Sequence, residues 1–364
     1  MMSSQSPIMV MAGGTGGHVF PALAVASCLR ERGQTVVWMG TRSGIEARLV
    51  PEAGFPIEWL KIQGLRGKGV MAKALAPFKL ALACWQALSI LRRHRPRAVL
   101  GLGGFASGPG GLMAWVMRIP LIVHEQNAII GLTNRLLSRL ARVSYFAFPQ
   151  AAQSVSRAQV VGNPVRPEIV AMPSPQQRFE RRPSNAGLRV LVIGGSLGAR
   201  SLNVVVPKAL AMMDIQTRPQ VMHQCGPKHL DECLANYRQH NIEAEVVAFI
   251  DDMKSAYEWA DLVICRAGAL TVAELAAGGV ASILAPYPYA VDDHQFHNAS
   301  WLADAGAALR IRDDSLTPEW LVERLGHFST HREELLNMAV RARALAYTDA
   351  AARVADGVLN EART

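Results

Sequence analysis

The sequence predicts an α/β protein of two parallel-sheet domains, and three observations predict it. The chain has 364 residues, enough for two domains of about 150 to 180 residues with a core each. Short, near-continuous apolar runs alternate with stretches of helical period from end to end, the pattern of strands covered on both faces. A strand, a glycine-rich turn and a helix start follow one another twice, about half a chain apart, which implies two domains of the same kind.

In chain order, the strands of the first half are expected at residues 8–12, 36–39, 98–102 and 121–124, and those of the second at 189–193, 220–224, 246–249, 262–265 and 281–285. Helical period is clear at 22–32 and 202–213. Between the halves, Asn163-Pro164-Val165-Arg166-Pro167 and the Pro/Ser/Arg-rich stretch 172–185 read as a linker. The domains are therefore expected at 1–163 and 164–364.

Half of the residues are hydrophobic and 18% are charged, so the formal net charge of +9 sits on a globule and not on a disordered tail. Such a surface attracts anionic partners: phosphates, nucleic acids or acidic lipids. Five cysteines with no Cys-x-x-Cys pair favour reduced thiols. The first apolar stretch is too short for a signal-peptide core, and no run approaches the roughly 18 apolar residues of a membrane span. A soluble, cytoplasmic protein is expected.

The turns carry the chemistry. Gly13-Gly14-Thr15-Gly16-Gly17-His18 follows the first strand, and Gly194-Gly195-Ser196-Leu197-Gly198-Ala199-Arg200 follows the strand at 189–193. Glycines there let the backbone turn into a helix whose unpaired N–H groups face an anion; a tight β-to-α connection with no ligand is the alternative. A third stretch, Gly101 to Gly111, ends another strand on the same carboxyl edge. No acidic residue closes Val36-Val37-Trp38-Met39-Gly40-Thr41, which argues against an adenosine ribose and a dinucleotide dehydrogenase. In Arg266-Ala267-Gly268-Ala269-Leu270-Thr271-Val272-Ala273-Glu274, the carboxylate of Glu274 suits the two hydroxyls of a ribose and Arg266 suits a diphosphate. A solvated helix carboxylate and a surface charge are the competing readings.

These segments, together with Gly103-Gly104-Phe105-Ala106-Ser107-Gly108-Pro109-Gly110-Gly111, His124-Glu125-Gln126-Asn127 and Val161-Gly162-Asn163-Pro164-Val165-Arg166, closely resemble the MurG family of N-acetylglucosaminyltransferases over nearly the whole chain. The resemblance implies a GT-B architecture, two Rossmann-like domains facing across a cleft. It implies an inverting, metal-independent reaction with no cofactor. N-acetylglucosamine would pass from UDP-GlcNAc to the C4 hydroxyl of N-acetylmuramic acid in undecaprenyl-pyrophosphoryl-MurNAc-pentapeptide (lipid I), giving lipid II for peptidoglycan. On this pattern Ser196 and its turn bind the diphosphate. Arg166 and Ile250 contact the uracil region, residues from Ala269 to Glu274 line the nucleotide, and Gln295 contacts the sugar. Thr15, Gly16, Gly17 and Asn127 close over the donor from the first domain, and a helix within about 339–360 returns to that domain. Phe105 departs from the family, which often has Tyr there.

Such a reaction needs a base beside the acceptor and positive charge near the departing phosphate. His18 is the first candidate base, because a helix start favours its neutral form; Glu125 is the second. Each also reads as a purely structural loop residue. The stretch 65–94 joins Lys68, Lys73, Lys79, Arg92 and Arg93 with Val70, Leu75, Phe78, Leu82, Trp85 and Leu88, extended by Trp115 and Arg118. This suits an anionic lipid interface, or a helix facing its own core. The resemblance favours the first and implies a peripheral protein on the cytoplasmic face of the inner membrane. His223, Cys225, His229 and Cys233 are close in sequence but are expected on a strand and the following turn and helix, so they are not read as a zinc site. Two other classes compete: a UDP-sugar epimerase of the same fold, and a basic nucleic-acid-binding protein, which few aromatics and no recognition motif support.

Overall fold

The structure, a computed structural model, describes residues 6–61, 70–183, 186–195 and 198–363, and side chains within that set except at 70–76. The chain divides into two compact units, Met1–Arg166 with Tyr347–Thr364, and Pro167–Ala346.

Among the described residues, the first unit holds a seven-stranded sheet: β1 (Ile8–Met11), β2 (Val36–Thr41), β3 (Ile57–Leu60), β4 (Ala98–Gly101), β5 (Leu121–Glu125), β6 (Val143–Phe146) and β7 (Ala158–Val160), in the order β3-β2-β1-β4-β5-β6-β7. The second holds a six-stranded sheet: β8 (Arg189–Ile193), β9 (Gln220–Gln224), β10 (Glu245–Val247), β11 (Leu262–Cys265), β12 (Ser282–Leu284) and β13 (Ala308–Arg310), in the order β10-β9-β8-β11-β12-β13. Every pairing in both sheets is parallel. These are doubly wound sheets whose strand order reverses between β1 and β4, and again between β8 and β11, and ligands of such sheets bind outside the carboxyl ends of the strands at that reversal.

The central strands are fully buried, which is why they read as apolar runs, β5 closing on the buried His124 and Glu125. Strands β3, β6, β7 and β13 escaped the sequence reading. β3 alternates Ile57, Glu58, Trp59, Leu60 at a sheet edge, β7 and β13 are three-residue edge strands, and Ser144 interrupts β6. The first long helix, Gly16–Glu31, begins six residues before its apolar period shows, because its first turn is made of the glycine-rich segment itself.

Val354, Ala355 and Val358, on the helix Ala350–Glu361, pack with Val19, Ala22 and Tyr145 in the core of the first unit. The last residues thus complete that unit's core. The preceding helix, Arg332–Ala344, puts Leu335, Met338 and Ala339 into the core of the second unit.

Candidate active site

In the first unit the reversal point is built from the turns after β1 and β4. Met11 pairs with Gly101, so the two turns leave the sheet side by side. They touch where only glycine fits. Gly104 has φ +79°, and a Cβ there would lie 2.4 Å from the Gly13 carbonyl oxygen; Gly103 has φ +104°, and a Cβ there would lie 2.9 Å from Cε1 of His18. Ser107 fastens the second turn: its hydroxyl lies 2.7 Å from the Gly103 carbonyl and 3.0 Å from the Met11 carbonyl, donates its one proton to this pair and accepts from the Gly103 N–H.

The first turn is held by Glu46, a fully buried carboxylate that accepts from the Gly14 N–H at 2.9 Å and from the N–H and hydroxyl of Thr41 at 3.1 and 2.7 Å. An acid does therefore stand just beyond β2, but its oxygens serve the turn. Thr15 caps the helix Gly16–Glu31 through its carbonyl, which accepts from the N–H groups of His18 and Val19, and its side chain makes no capping bond. Gly16 and Gly17 supply the first turn of that helix, with the partial positive charge of its start.

His18 lies half-buried in that first turn, its Nδ1 2.9 Å from Oε1 of Gln126. Gln126 joins it to His124: Nε2 of Gln126 is 3.1 Å from His124 Nδ1, and His124 Nε2 is 2.9 Å from the Gly162 carbonyl. Complete burial pushes the His124 pKa down to about 4, against a smaller upward effect of the Gly162 bond, so this ring is neutral at pH 7. Glu125 points elsewhere. Oε1 accepts from the Asn127 N–H and side chain at 2.9 and 3.2 Å, and Oε2 from the Gly131 N–H and the Asn134 side chain at 3.1 and 2.9 Å. The carboxylate organises the loop after β5, and Asn127 is placed by it. At the end of this unit, the Arg166 guanidinium lies 5.7 Å from the Phe20 ring centre.

In the second unit the turn after β8 is held by Gln224, which accepts from the Gly195 N–H and donates to the carbonyls of Gly195 and Ala248. Ser196 lies outside the described residues. After β11, Arg266 does not stand free as a surface charge. It pairs with Asp313 and donates to the Ala285 carbonyl and to Ser201 Oγ at 3.0 and 2.9 Å, tying the turn to the ends of neighbouring strands. The helix Ala269–Gly278 follows, capped by no side chain at Gly268, with Ala269, Leu270, Thr271, Val272 and Ala273 in its opening turns. Glu274 is buried, so the solvated reading falls; its Oε2 accepts from the Tyr257 hydroxyl at 3.2 Å. Ile250 is half-buried in the loop after β10. Gln295, early in the helix His294–Ala303, accepts from the Tyr287 N–H at 2.9 Å and so holds the loop after β12.

His223 and its neighbours form a packing cluster: Nδ1 meets the Tyr237 hydroxyl at 2.9 Å and Nε2 meets Asn203 Oδ1 at 3.0 Å. Burial takes its pKa down to about 3. Glu46, Gln126, Gln224 and Tyr257 were not singled out from sequence, because each acts on a partner distant along the chain.

The helix Val70–His94 has one buried face and one exposed apolar face. Ala83, Ala87, Ile90 and Leu91 face the core, while Phe78 and Trp85 on another face are 75% and 65% exposed, with Leu82 also exposed. Next to it the helix Ser107–Val116 exposes Trp115 and Val116, and beyond that Leu132–Leu137 exposes Leu132 and Leu136. Lys79, Arg92, Arg93, Arg118, Arg135 and Arg139 are exposed on or beside these helices. Lys68, and the side chains of Val70, Lys73 and Leu75, fall outside the described set. Among the described residues no helix is long and apolar enough to cross a membrane.

Residues 8–145 match the N-terminal domain of glycosyltransferase family 28, and residues 189–354 match its C-terminal domain. Two doubly wound sheets with glycine-rich turns at their reversal points, matched in this order, define a two-domain glycosyltransferase of the GT-B class. The UDP-N-acetylglucosamine--N-acetylmuramyl-(pentapeptide) pyrophosphoryl-undecaprenol N-acetylglucosamine transferase of Nitrosococcus oceani is 52% identical over 355 residues, 98% of this chain and 98% of that protein. Its namesake from Aeromonas hydrophila is 53% identical, covering 96% of this chain and 95% of that protein. The crystal structure of Acinetobacter baumannii MurG superposes with a TM-score of 0.84 at 42% identity, over 98% of this chain and all of that one. The chain belongs to this family of N-acetylglucosamine transferases.

Proposed function

We propose that the chain transfers N-acetylglucosamine from UDP-GlcNAc to the C4 hydroxyl of the N-acetylmuramic acid of lipid I, with inversion, to give lipid II and UDP. The observation that carries the chemical part is the placement of His18. Its ring stands at the carboxyl end of β1 beside the reversal point, with one nitrogen bonded to Gln126 and the other without a partner among the described residues. The acceptor oxygen attacks the anomeric carbon as the bond from that carbon to the diphosphate breaks. The hydroxyl proton passes to His18, and UDP departs with the electron pair. Glu125 holds the loop that carries Asn127 and is not the base.

The donor is assigned to the second unit. Ser196 is assigned to the diphosphate, which the start of the helix Ala269–Gly278 also suits. Arg166 and Ile250 are assigned to the uracil, Glu274 to the ribose and Gln295 to the sugar, with Thr15, Gly16, Gly17 and Asn127 as donor contacts from the first unit. Arg266 acts by holding the turn after β11, since its charge is balanced by Asp313. The exposed apolar side chains of the three adjacent helices and the cations around them fit a peripheral site on the anionic cytoplasmic face of the inner membrane, each cation near the surface contributing about 1 kcal/mol.

The test is transfer of labelled sugar from UDP-GlcNAc in the presence and absence of lipid I. Acceptor-dependent UDP release with a labelled lipid product is expected, and Glu274→Gln should raise the KM for UDP-GlcNAc by about tenfold, the loss of one charged hydrogen-bond partner. Isomerisation of UDP-GlcNAc without acceptor, and no labelled lipid, would contradict the assignment.

A further inference from the structure

We infer that Gln126 is a positioning residue that sets the tautomer of His18, keeping the proton on Nδ1 and presenting Nε2 as the basic atom. The inference rests on the reading of His18 as the base and adds which atom of it is basic and what makes it so.

The proton order can be read along the chain of contacts from its buried end. His124 Nε2 lies 2.9 Å from the Gly162 carbonyl oxygen, which can only accept, so that nitrogen carries a proton. His124 is buried without any exposed surface and neutral, so its Nδ1 holds a lone pair. The group 3.1 Å from Nδ1 must then be a donor, which makes it the amide nitrogen of Gln126. A second acceptor demands the same orientation, because the His124 carbonyl oxygen also lies 3.1 Å from that nitrogen. With the amide nitrogen turned to His124, the amide oxygen faces His18 Nδ1 at 2.9 Å, and an amide oxygen accepts only. His18 therefore donates from Nδ1, and its lone pair is on Nε2.

The amide that orders the protons is shielded from water. Gln126 is 1% exposed, and its backbone carbonyl is anchored by the Asn163 side chain at 3.0 Å. A Cβ at Gly103 would lie 2.9 Å from Cε1, 3.0 Å from Nδ1 and 3.4 Å from Nε2 of His18, so a side chain there would crowd the ring that glycine leaves in place. In water the neutral imidazole favours the other tautomer, with the proton on Nε2, which has no lone pair at the outward atom. A serine protease triad reaches the same order with a carboxylate, which also stabilises the imidazolium. Here a neutral amide orders the proton and adds no charge.

The experiment is a two-bond proton–nitrogen correlation spectrum of the histidine rings of the full chain at about pH 8, where a free imidazole is neutral. The His18 signals are assigned by their loss in His18→Ala. The wild-type protein should show the Nδ1–H pattern at His18. In Gln126→Met, which keeps the length of the side chain and removes its hydrogen bonds, the pattern should move towards Nε2–H. The kcat of transfer should fall on the order of 10²-fold with the KM for UDP-GlcNAc within about twofold. An Nε2–H pattern in the wild-type protein overturns the inference whether or not the variant folds, and so does an unchanged pattern in Gln126→Met. The spectrum is read without turnover, so full activity of His18→Ala would remove the base assignment and leave the tautomer result standing.

Discussion

His124 and His223, one in each unit, are buried with both ring nitrogens engaged, and this makes stability depend on pH. Their pKa values fall from 6.5 to about 4 and about 3, because burial penalises the charged ring. Below pH 6.5 the unfolded chain takes up a proton at each position and the native chain does not. Stability is therefore lost as the pH drops from 6.5 towards those lower values, by about 1.4 kcal/mol per pH unit per ring. Urea midpoints should fall between pH 7 and pH 5, and His223→Gln should flatten that dependence for the unit that carries it. A wild-type midpoint that does not move would contradict the account. Gly104→Ala acts on geometry instead: with φ at +79° and the Gly13 carbonyl 2.4 Å from the new Cβ, one of the two turns must shift, so the melting temperature should fall and turnover should drop at least tenfold even at temperatures where the variant is folded. The glycine turns and His18 were legible in sequence because a turn and the residue that ends it are local. Gln126 and Glu46 were not, since their partners lie 108 and 32 positions away and only the fold brings them together.

At the scale of elements, the helix Val70–His94 shows why one amphipathic pattern allowed two readings. Its residues 83, 87, 90 and 91 are spaced to cover the sheet, while Phe78, Leu82 and Trp85 lie outside that stripe and meet solvent. Apolar period reveals that a face is buried; it does not tell a core from a lipid surface. Replacing Phe78 and Trp85 together by Ser should leave the unfolding midpoint within about 0.5 kcal/mol of the parent, because exposed positions contribute little to folding. Sedimentation with vesicles containing anionic lipid should fall several-fold, and unchanged sedimentation would count against this surface as the membrane contact. The central strands were legible because burial on both faces leaves mostly apolar residues, His124 and His223 being hydrogen-bonded exceptions. The edge strands β3, β7 and β13 were not, being short or half exposed.

The whole molecule consists of two doubly wound units, of which the first draws its last helix from the far end of the chain. Val358, buried against the first unit's core, makes this dependence measurable: Val358→Ala should cost about 2 kcal/mol, seen as earlier unfolding of the unit that contains β1 to β7. Both units carry a glycine-rich turn after their first strand, and their roles differ through the residues beside those turns. In the first, His18 follows the glycines and Glu46 occupies the Gly14 N–H; in the second, Gln224 holds the turn without charge. Base chemistry is accordingly assigned to the first unit and the anionic nucleotide to the second. The measurement that bears most directly on this division is the steady-state kinetics of His18→Ala with UDP-GlcNAc and lipid I. The account predicts a kcat lowered on the order of 10²- to 10⁴-fold with the KM for UDP-GlcNAc within about threefold of the parent. An unchanged kcat, or a loss confined to the KM for the donor, would contradict it.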